Sequence, residues 1–212
     1  MSDDAPLLAY RHPPAVALFF ILAAAVLGAD LWLKAWAFAN VAPQPVIIDP
    51  TQIQPIDHEP VVVVPYLLNL HLTTNDGAVF GMGKGQRLFF ITMSLIAIVV
   101  IVVIFARSFA RQRWLHVSLA LILAGALGNL YDRAVYSQVR DMLHLFPGVN
   151  LPFGWAWPGP GGGIRELYPW IFNIADVALV VGVLMMMANL WKPRPNKATS
   201  DQTEAKTADT AE

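Results

Sequence analysis

The stretch FNIADVAL, residues 172–179, opens the last long apolar run of the chain and carries two polar residues, Asn173 and Asp176. A charged side chain in hydrocarbon costs several kcal/mol, about 2.5–3.5 kcal/mol on insertion scales. Such a residue is tolerated where it faces a polar interior rather than lipid. The stretch therefore predicts a polar site enclosed by membrane helices.

The composition of the whole chain supports a membrane protein. Of its 212 residues, 56% are hydrophobic and only 14% are charged, which is too apolar for an ordinary soluble domain. The net charge of −1 provides no field that would attract nucleic acid. Cysteine is absent, so disulfides, a thiol nucleophile and cysteine-rich metal sites are excluded.

Four apolar runs are long enough to cross a bilayer, which needs about 20 residues. We predict helices over residues 15–39, 88–106, 114–136 and 167–191. The predicted fold is an all-α membrane protein with four transmembrane helices, forming one integral-membrane domain over residues 1–192. Residues 193–212 are polar and predict a disordered cytoplasmic tail.

The cationic residues predict the orientation of the helices. Arg107, Arg111 and Arg113 lie between the second and third runs, and Arg11 precedes the first. The positive-inside rule then places both termini in the cytoplasm and the two long loops outside.

The outer loops predict a small β-rich cradle. Within the loop at 43–86, residues 43–60 are rich in proline, and residues 61–80 alternate as in one or two short strands ending in a turn at 75–77. The second outer region, an insert at 142–166, contains aromatic, proline and glycine residues suited to the membrane interface.

Alternating passes bring the costly polar residues to one side of the membrane. Those in the helices share faces at spacings of three or four residues. The set at or near the outer boundary is Asp30, Lys34, Asn75, Asn129, Asp132, Arg133, Asp141, Asn173 and Asp176.

Several of these residues have a purely structural interpretation. Asp30 and Lys34 could neutralise each other, Asp132 and Arg133 could form a salt bridge at a helix end, and the asparagines could join helices. Asp141 and Asp176 are then left without obvious cationic partners. Two such carboxylates can activate water and protonate a leaving amine, as in aspartic peptidases.

Two non-enzymatic alternatives compete with a peptidase. Intramembrane carboxylates also mark ion- or proton-coupled transporters, although these usually carry polar groups through both leaflets. A membrane scaffold would use the polar residues only to hold helices together. Replacing Asp141 or Asp176 by asparagine separates the peptidase, which should lose processing of a lipidated precursor, from the scaffold, which should keep its function.

Five segments, in order, resemble the lipoprotein signal peptidase family of bacteria. They are DLWLK (30–34), NDGAVFG (75–81), GALGNLYDR (125–133), VRD (139–141) and FNIAD (172–176). The resemblance implies that Asp141 and Asp176 are catalytic. It implies substrate-positioning or site-supporting roles for Asn75, Gly77, Gly125, Asn129, Arg133, Asn173, Asp30, Lys34 and Asp132.

The resemblance also implies a substrate and a location. The substrate would be a prolipoprotein carrying diacylglycerol, cleaved on the amino side of its lipidated cysteine, with no metal or organic cofactor. The enzyme would be a monomer in the bacterial inner membrane, in contact with phospholipid, with its site near the outer face. The order of the two aspartates along the chain does not decide which one is the base.

The chain departs from the family pattern at a few positions. Val79 and Met142 are apolar replacements near the expected site, and the segments 43–60 and 146–166 are longer than the pattern. We expect these segments to form an enlarged outer lid that screens substrates, so that deleting residues 149–163 alters substrate preference.

Overall fold

The computed structural model describes residues 7–49, 56–75, 87–158 and 163–191. Within that part, the helices are α1 (Pro13–Asn40), α2 (Arg87–Arg107), α3 (Arg113–Tyr136) and α4 (Ile174–Leu190). The strands are β1 (Val61–Val64), β2 (Leu68–Asn75), β3 (Val139–Leu145) and β4 (Ile171–Phe172). The strands form one antiparallel sheet in the order β1-β2-β3-β4.

The first three predicted helices are confirmed to within two residues at each end. Each of α1, α2 and α3 is long and apolar enough to cross a membrane. The predicted start of the fourth helix at 167 is wrong, because α4 begins at Ile174. Residues 171–172 pair with β3 instead, and Asn173 has the extended backbone of a helix cap, with φ −132° and ψ 177°.

The described residues of the loop at 43–86 contain two strands, in agreement with the predicted one or two. Strands β1 and β2 form a hairpin whose turn includes Tyr66, a residue with a left-handed φ of 60°. The turn predicted at 75–77 starts at the last residue of β2, and Asp76 and Gly77 lie outside the described residues, as does Val79. The predicted insert at 142–166 begins too early, since β3 extends to Leu145; the insert proper is 146–166.

Helix α3 packs between the other helices because small residues let them approach. A Cβ atom added at Gly125 would collide with the carbonyl oxygen of Ala175 and with Leu179 in α4, and one added at Gly182 of α4 would come 2.8 Å from the carbonyl oxygen of Ser118. The backbones of α3 and α4 therefore lie in direct contact at two levels.

Two apolar clusters hold the helices and the sheet together. At one end of the bundle, the rings of Phe19 (α1) and Phe105 (α2) stack at 4.1 Å. At the other end, Phe38 of α1 packs with Leu72 of β2 and Met142 of β3. Met142 is fully buried, so this departure from the family pattern fills the core between α1 and the sheet. The polar site lies beside this second cluster.

Candidate active site

A group of buried charges joins α1 to α3. Lys34 Nζ lies 2.8 Å from Asp30 Oδ2, one helical turn away on α1, and 3.2 Å from Asp132 Oδ2 on α3. All three side chains are at most 1% exposed. The predicted neutralisation of Asp30 by Lys34 is thus present, and the same lysine also serves Asp132. Sharing one cation between two carboxylates requires a second cation to balance the group.

Arg140 of β3 is that second cation, and sequence analysis did not identify it. Its guanidinium donates to Asp132 Oδ1 from Nη2 at 2.8 Å and from Nε at 3.1 Å, and its backbone N–H donates to Asp132 Oδ2 at 3.0 Å. Its guanidinium carbon also lies 4.3 Å from the centroid of the Tyr136 ring. Arg140 therefore fixes the start of β3 against the end of α3, one residue before Asp141.

Two asparagines link the two candidate catalytic carboxylates. Asn173 Nδ2 donates to Asp141 Oδ1 at 2.6 Å and lies 3.2 Å from Asn129 Oδ1. Asn129 Nδ2 in turn donates to Asp176 Oδ1 at 2.8 Å. Lys34 Nζ also reaches Asn129 Oδ1, at 3.4 Å. Carboxylates from β3 and α4 are therefore joined through amides from α3 and from the cap of α4.

Asp176 and Asn173 also form a reciprocal cap at the start of α4. Asn173 Oδ1 accepts a hydrogen bond from the backbone N–H of Asp176 at 3.0 Å, and Asp176 Oδ2 accepts one from the backbone N–H of Asn173 at 3.2 Å. This capping box satisfies backbone donors that the helix leaves unpaired. A carboxylate at the first turn is also favoured by the helix dipole. The charge at position 176 thus has a local physical reason.

Asp30 connects α1 to the same helix start. Its Oδ1 accepts a hydrogen bond from the backbone N–H of Ala175 at 2.9 Å. This contact needs Gly128 on α3, because a Cβ atom there would lie 2.6 Å from Asp30 Oδ2 and 3.1 Å from the Ala175 Cβ. Helices α1, α3 and α4 therefore meet at one point, with the first turn of α4 held by both neighbours.

The environment of Asp141 favours its protonated form. Burial raises the pKa of this carboxyl well above its ordinary value, and the negative charge of Asp176 raises it further. The hydrogen bond from Asn173 and the charge of Lys34 act in the opposite direction, with smaller effect. Asp141 can therefore serve as the protonated carboxyl, one of the two partners that acid–base catalysis by two carboxylates needs.

The structure brings most of the predicted site residues together. One connected set contains Asp30, Lys34, Asn129, Asp132, Asp141, Asn173 and Asp176, together with Arg140. Gly125 lies in the α3–α4 contact behind this set. Asn75, the last residue of β2, pairs with Val139, the first residue of β3. The Arg133 guanidinium carbon lies 5.0 Å from the Phe90 ring centroid. Gly77 lies outside the described residues.

Among the residues that the structure describes, acidic and histidine side chains form no cluster of three or more that could hold a metal ion. The groups that converge at the site are carboxylates, amides and two cations, which bind one another. The fold and this network define a multi-pass membrane protein whose polar site is built around paired carboxylates.

Comparison with known proteins gives the family. The family model described as "Signal peptidase (SPase) II" matches residues 22–192. A lipoprotein signal peptidase of Staphylococcus aureus (strain MRSA252) is 33% identical over 135 residues, covering 64% of this chain and 72% of that protein. A lipoprotein signal peptidase of Streptococcus thermophilus (strain CNRZ 1066) is 29% identical over 168 residues, covering 79% and 88%.

Two solved structures share the fold of this chain. A bacterial membrane enzyme determined by the in meso method at 2.3 Å superposes with a TM-score of 0.61 and 25% identity, covering 86% of this chain and 96% of that one. A second, at 1.9 Å, gives the same TM-score with 26% identity. The chain belongs to the signal peptidase II family and is a protease. This membership favours the peptidase over the transporter and scaffold alternatives.

Proposed function

We propose that this chain removes signal peptides from diacylglyceryl-modified prolipoproteins and that Asp141 and Asp176 are its catalytic pair. Cleavage takes place on the amino side of the lipidated cysteine. The proposal rests on the family match, on relatives named as lipoprotein signal peptidases, and on the amide network between the two carboxylates.

The reaction needs one carboxylate and one carboxylic acid. The ionised group removes a proton from water while the water oxygen bonds to the scissile carbonyl carbon. The protonated group then gives its proton to the leaving nitrogen as the C–N bond breaks. Because the pKa of Asp141 is raised, the pair holds the single proton that this exchange uses.

The contacts of Asn173 with both aspartates are the observation that carries the proposal. Its side chain contacts both aspartates, with Nδ2 donating to Asp141 and Oδ1 accepting from the backbone of Asp176. A residue that is 0% exposed and bonded to both has little freedom to rotate, so it fixes the two carboxylates relative to each other. Such preorganisation is what an enzyme requires of its reacting groups.

The buried charges around the pair have a supporting role in this proposal. Asp30, Lys34, Asp132 and Arg140 neutralise one another and bind the backbone at both Ala175 and Arg140. They hold the ends of β3 and α4 that carry the catalytic groups. Asn75, Arg133 and Gly77 are proposed to contact or position substrate.

The membrane arrangement belongs to the same proposal. All four helices cross the inner membrane, and α4 has the shortest apolar segment. Both termini lie in the cytoplasm. The enzyme is a monomer whose site opens near the outer face, where phospholipid accommodates the acyl chains of the substrate. Arg107, Arg111 and Arg113 support this orientation.

Because the chain lacks cysteine, single cysteines at Tyr66 and at Arg111 can test it. An impermeant maleimide should label intact cells at 66 and not at 111.

The activity test uses the purified protein in detergent micelles with a diacylglyceryl-modified prolipoprotein. Asp141→Asn and Asp176→Asn should each reduce processing by at least about 10³-fold, within the range contributed by positioned acids and bases. Asp57→Asn, an exposed residue before β1, is the matched control and should process at the wild-type rate. Thermal unfolding of all three variants establishes that the proteins remain folded. Folded Asp141→Asn or Asp176→Asn protein with wild-type processing would refute the catalytic pair.

A further inference from the structure

Four aromatic rings form a continuous ladder between the 146–166 insert and the candidate active site. The ring centroids of Trp157 and Trp170 lie 4.9 Å apart, those of Trp170 and Tyr168 5.3 Å, and those of Tyr168 and Phe172 5.7 Å. Each pair meets edge to face, with interplanar angles of 67°, 78° and 89°, a favourable arrangement for aromatic rings. We call these four residues the aromatic ladder.

The Phe172 end of the ladder lies on the face of the sheet that carries Asp141. Phe172 pairs with Leu143 across β3 and β4, and directly opposed residues project to the same side. Leu143 is two residues from Asp141, so alternation along β3 puts both on one face. Phe172 is also followed by Asn173, the residue that contacts both aspartates.

The Trp157 end is fixed within the insert. Its indole N–H lies 3.1 Å from the carbonyl oxygen of Glu166 and 3.3 Å from that of Leu167, and its backbone exchanges two hydrogen bonds with Ile164 at 2.8 and 3.1 Å. The Glu166 carboxylate accepts from the backbone N–H of Gly148 at 2.8 Å. The described residues on the two sides of the insert are therefore hydrogen-bonded to each other, and these contacts hold Trp157 in place beside Trp170.

Tyr168 is the ladder residue with a polar group near the candidate catalytic pair. Its ring is held on two sides, by Trp170 and by Phe172, and the side chain is half-buried. Burial raises the pKa of its phenol, and the charges of Asp176 and Asp141 raise it further. Its hydroxyl therefore remains a proton donor, on a ring that contacts Phe172, the residue directly before Asn173.

Peptide hydrolysis needs three things from a site, and the aspartates supply only two of them. They activate water and protonate the leaving nitrogen, but the carbonyl oxygen also gains negative charge and is stabilised by a hydrogen-bond donor. We propose that Tyr168, positioned by the aromatic ladder, binds substrate by donating a hydrogen bond from its hydroxyl to the carbonyl oxygen of the peptide bond being cleaved. The inference depends on the catalytic pair proposed above. It gives the insert a defined task, which is to hold this tyrosine.

The first test removes only the hydroxyl. Tyr168→Phe keeps the ring contacts and should lower kcat/KM on the lipidated precursor by about tenfold, with most of the loss in kcat, because the bond strengthens as charge develops on the oxygen. Its thermal unfolding midpoint should match the wild type. Tyr66→Phe, in the exposed β1–β2 turn, is the matched control and should retain wild-type kinetics. Unchanged kinetics of Tyr168→Phe would overturn the inference.

The second test asks whether the ladder acts through Tyr168. Trp157→Ala should also lower kcat/KM, by a factor no larger than Tyr168→Phe. In the double variant, Trp157→Ala should add nothing to the loss caused by Tyr168→Phe, because the hydroxyl it positions is already gone. Multiplicative losses would reject the link. If Asp141→Asn is inactive while Tyr168→Phe is fully active, only this inference fails; if Asp141→Asn is active, the catalytic pair itself fails.

Discussion

Arg140 is joined to Asp132 by three hydrogen bonds, two from its guanidinium to Oδ1 at 2.8 and 3.1 Å and one from its backbone N–H to Oδ2 at 3.0 Å. Both residues are buried, and Lys34 reaches the same carboxylate at 3.2 Å. Since Asp141 follows Arg140 directly, this ion pair fixes the backbone position of one of the two proposed catalytic residues.

Removing the Arg140 charge should unfold the site. Arg140→Gln leaves the buried Asp132 with Lys34 alone and should destabilise the protein by about 3–5 kcal/mol, the usual cost of breaking a buried ion pair. Arg140→Lys keeps the charge but loses the two-pronged geometry of the guanidinium, so its loss should be smaller. The unfolding temperature and the rate of precursor processing should both be highest for the wild type, lower for Arg140→Lys and lowest for Arg140→Gln. Arg11→Gln, on an exposed arginine, should leave both unchanged, and equal effects of the Lys and Gln variants at 140 would argue against the pairing geometry.

Asn173 has two tasks that different substitutions separate. It caps α4, and it donates to Asp141 at 2.6 Å. Asn173→Ser retains a good capping oxygen but has no amide donor, whereas Asn173→Ala loses both and should cost about 1 kcal/mol of stability for the cap. The serine variant should therefore unfold at a higher temperature than the alanine variant, while both lose precursor processing by at least about tenfold. Wild-type processing by Asn173→Ser would show that the amide donor is dispensable.

The fold could be predicted in outline because long apolar runs are unambiguous. The limits of the first three helices followed from the extent of the apolar runs alone. The start of the fourth did not, because residues 167–172 are apolar whether they form a strand or a helix, and a two-residue strand such as β4 has no periodicity to detect. A local signal was nevertheless present. Asn173 and Asp176 have the spacing of a capping box, which places the helix start at 174.

The site was predictable where polar residues stood out against an apolar background. Asp30, Lys34 and Asp176 were identified in this way. Arg140 was missed because it lies in a loop region between predicted helices, where a charged residue needs no explanation. Its burial follows from tertiary pairing with Asp132, which only the folded chain shows. The same holds for Tyr168, whose position depends on ring contacts with Trp170 and Phe172.

The pH dependence of stability should change when Asp141 is replaced. The pKa of Asp141 is raised by burial and by Asp176, so the folded state binds a proton more tightly than the unfolded state. The stability from this group is present below its ordinary pKa of 3.8 and is lost as pH rises through the raised value. Asp141→Asn does not titrate and keeps the hydrogen-bonding oxygen for Asn173.

The unfolding temperature of Asp141→Asn, relative to wild type, should therefore increase between pH 4 and pH 8. Asp57→Asn, at an exposed position before β1 and outside the site, is measured alongside it as the control. The measurement is thermal unfolding of both variants and of wild type in the same detergent across that range. A flat or decreasing difference for Asp141→Asn would contradict the raised pKa.

The close approach of α3 and α4 predicts opposite effects for the same substitution at two glycines. An added Cβ at Gly125 would collide with the Ala175 carbonyl oxygen and with Leu179, while one at Gly28 meets nothing within 4 Å. Gly125→Ala must push apart the helices that carry Asn129 and Asp176, and should cost about 1–3 kcal/mol together with most of the activity. Gly28→Ala, on the exposed face of α1, should gain up to about 1 kcal/mol from helix propensity and leave processing intact. The unfolding temperature and the processing rate are measured for both variants. Wild-type values for Gly125→Ala would mean that the two helix backbones are not held in contact.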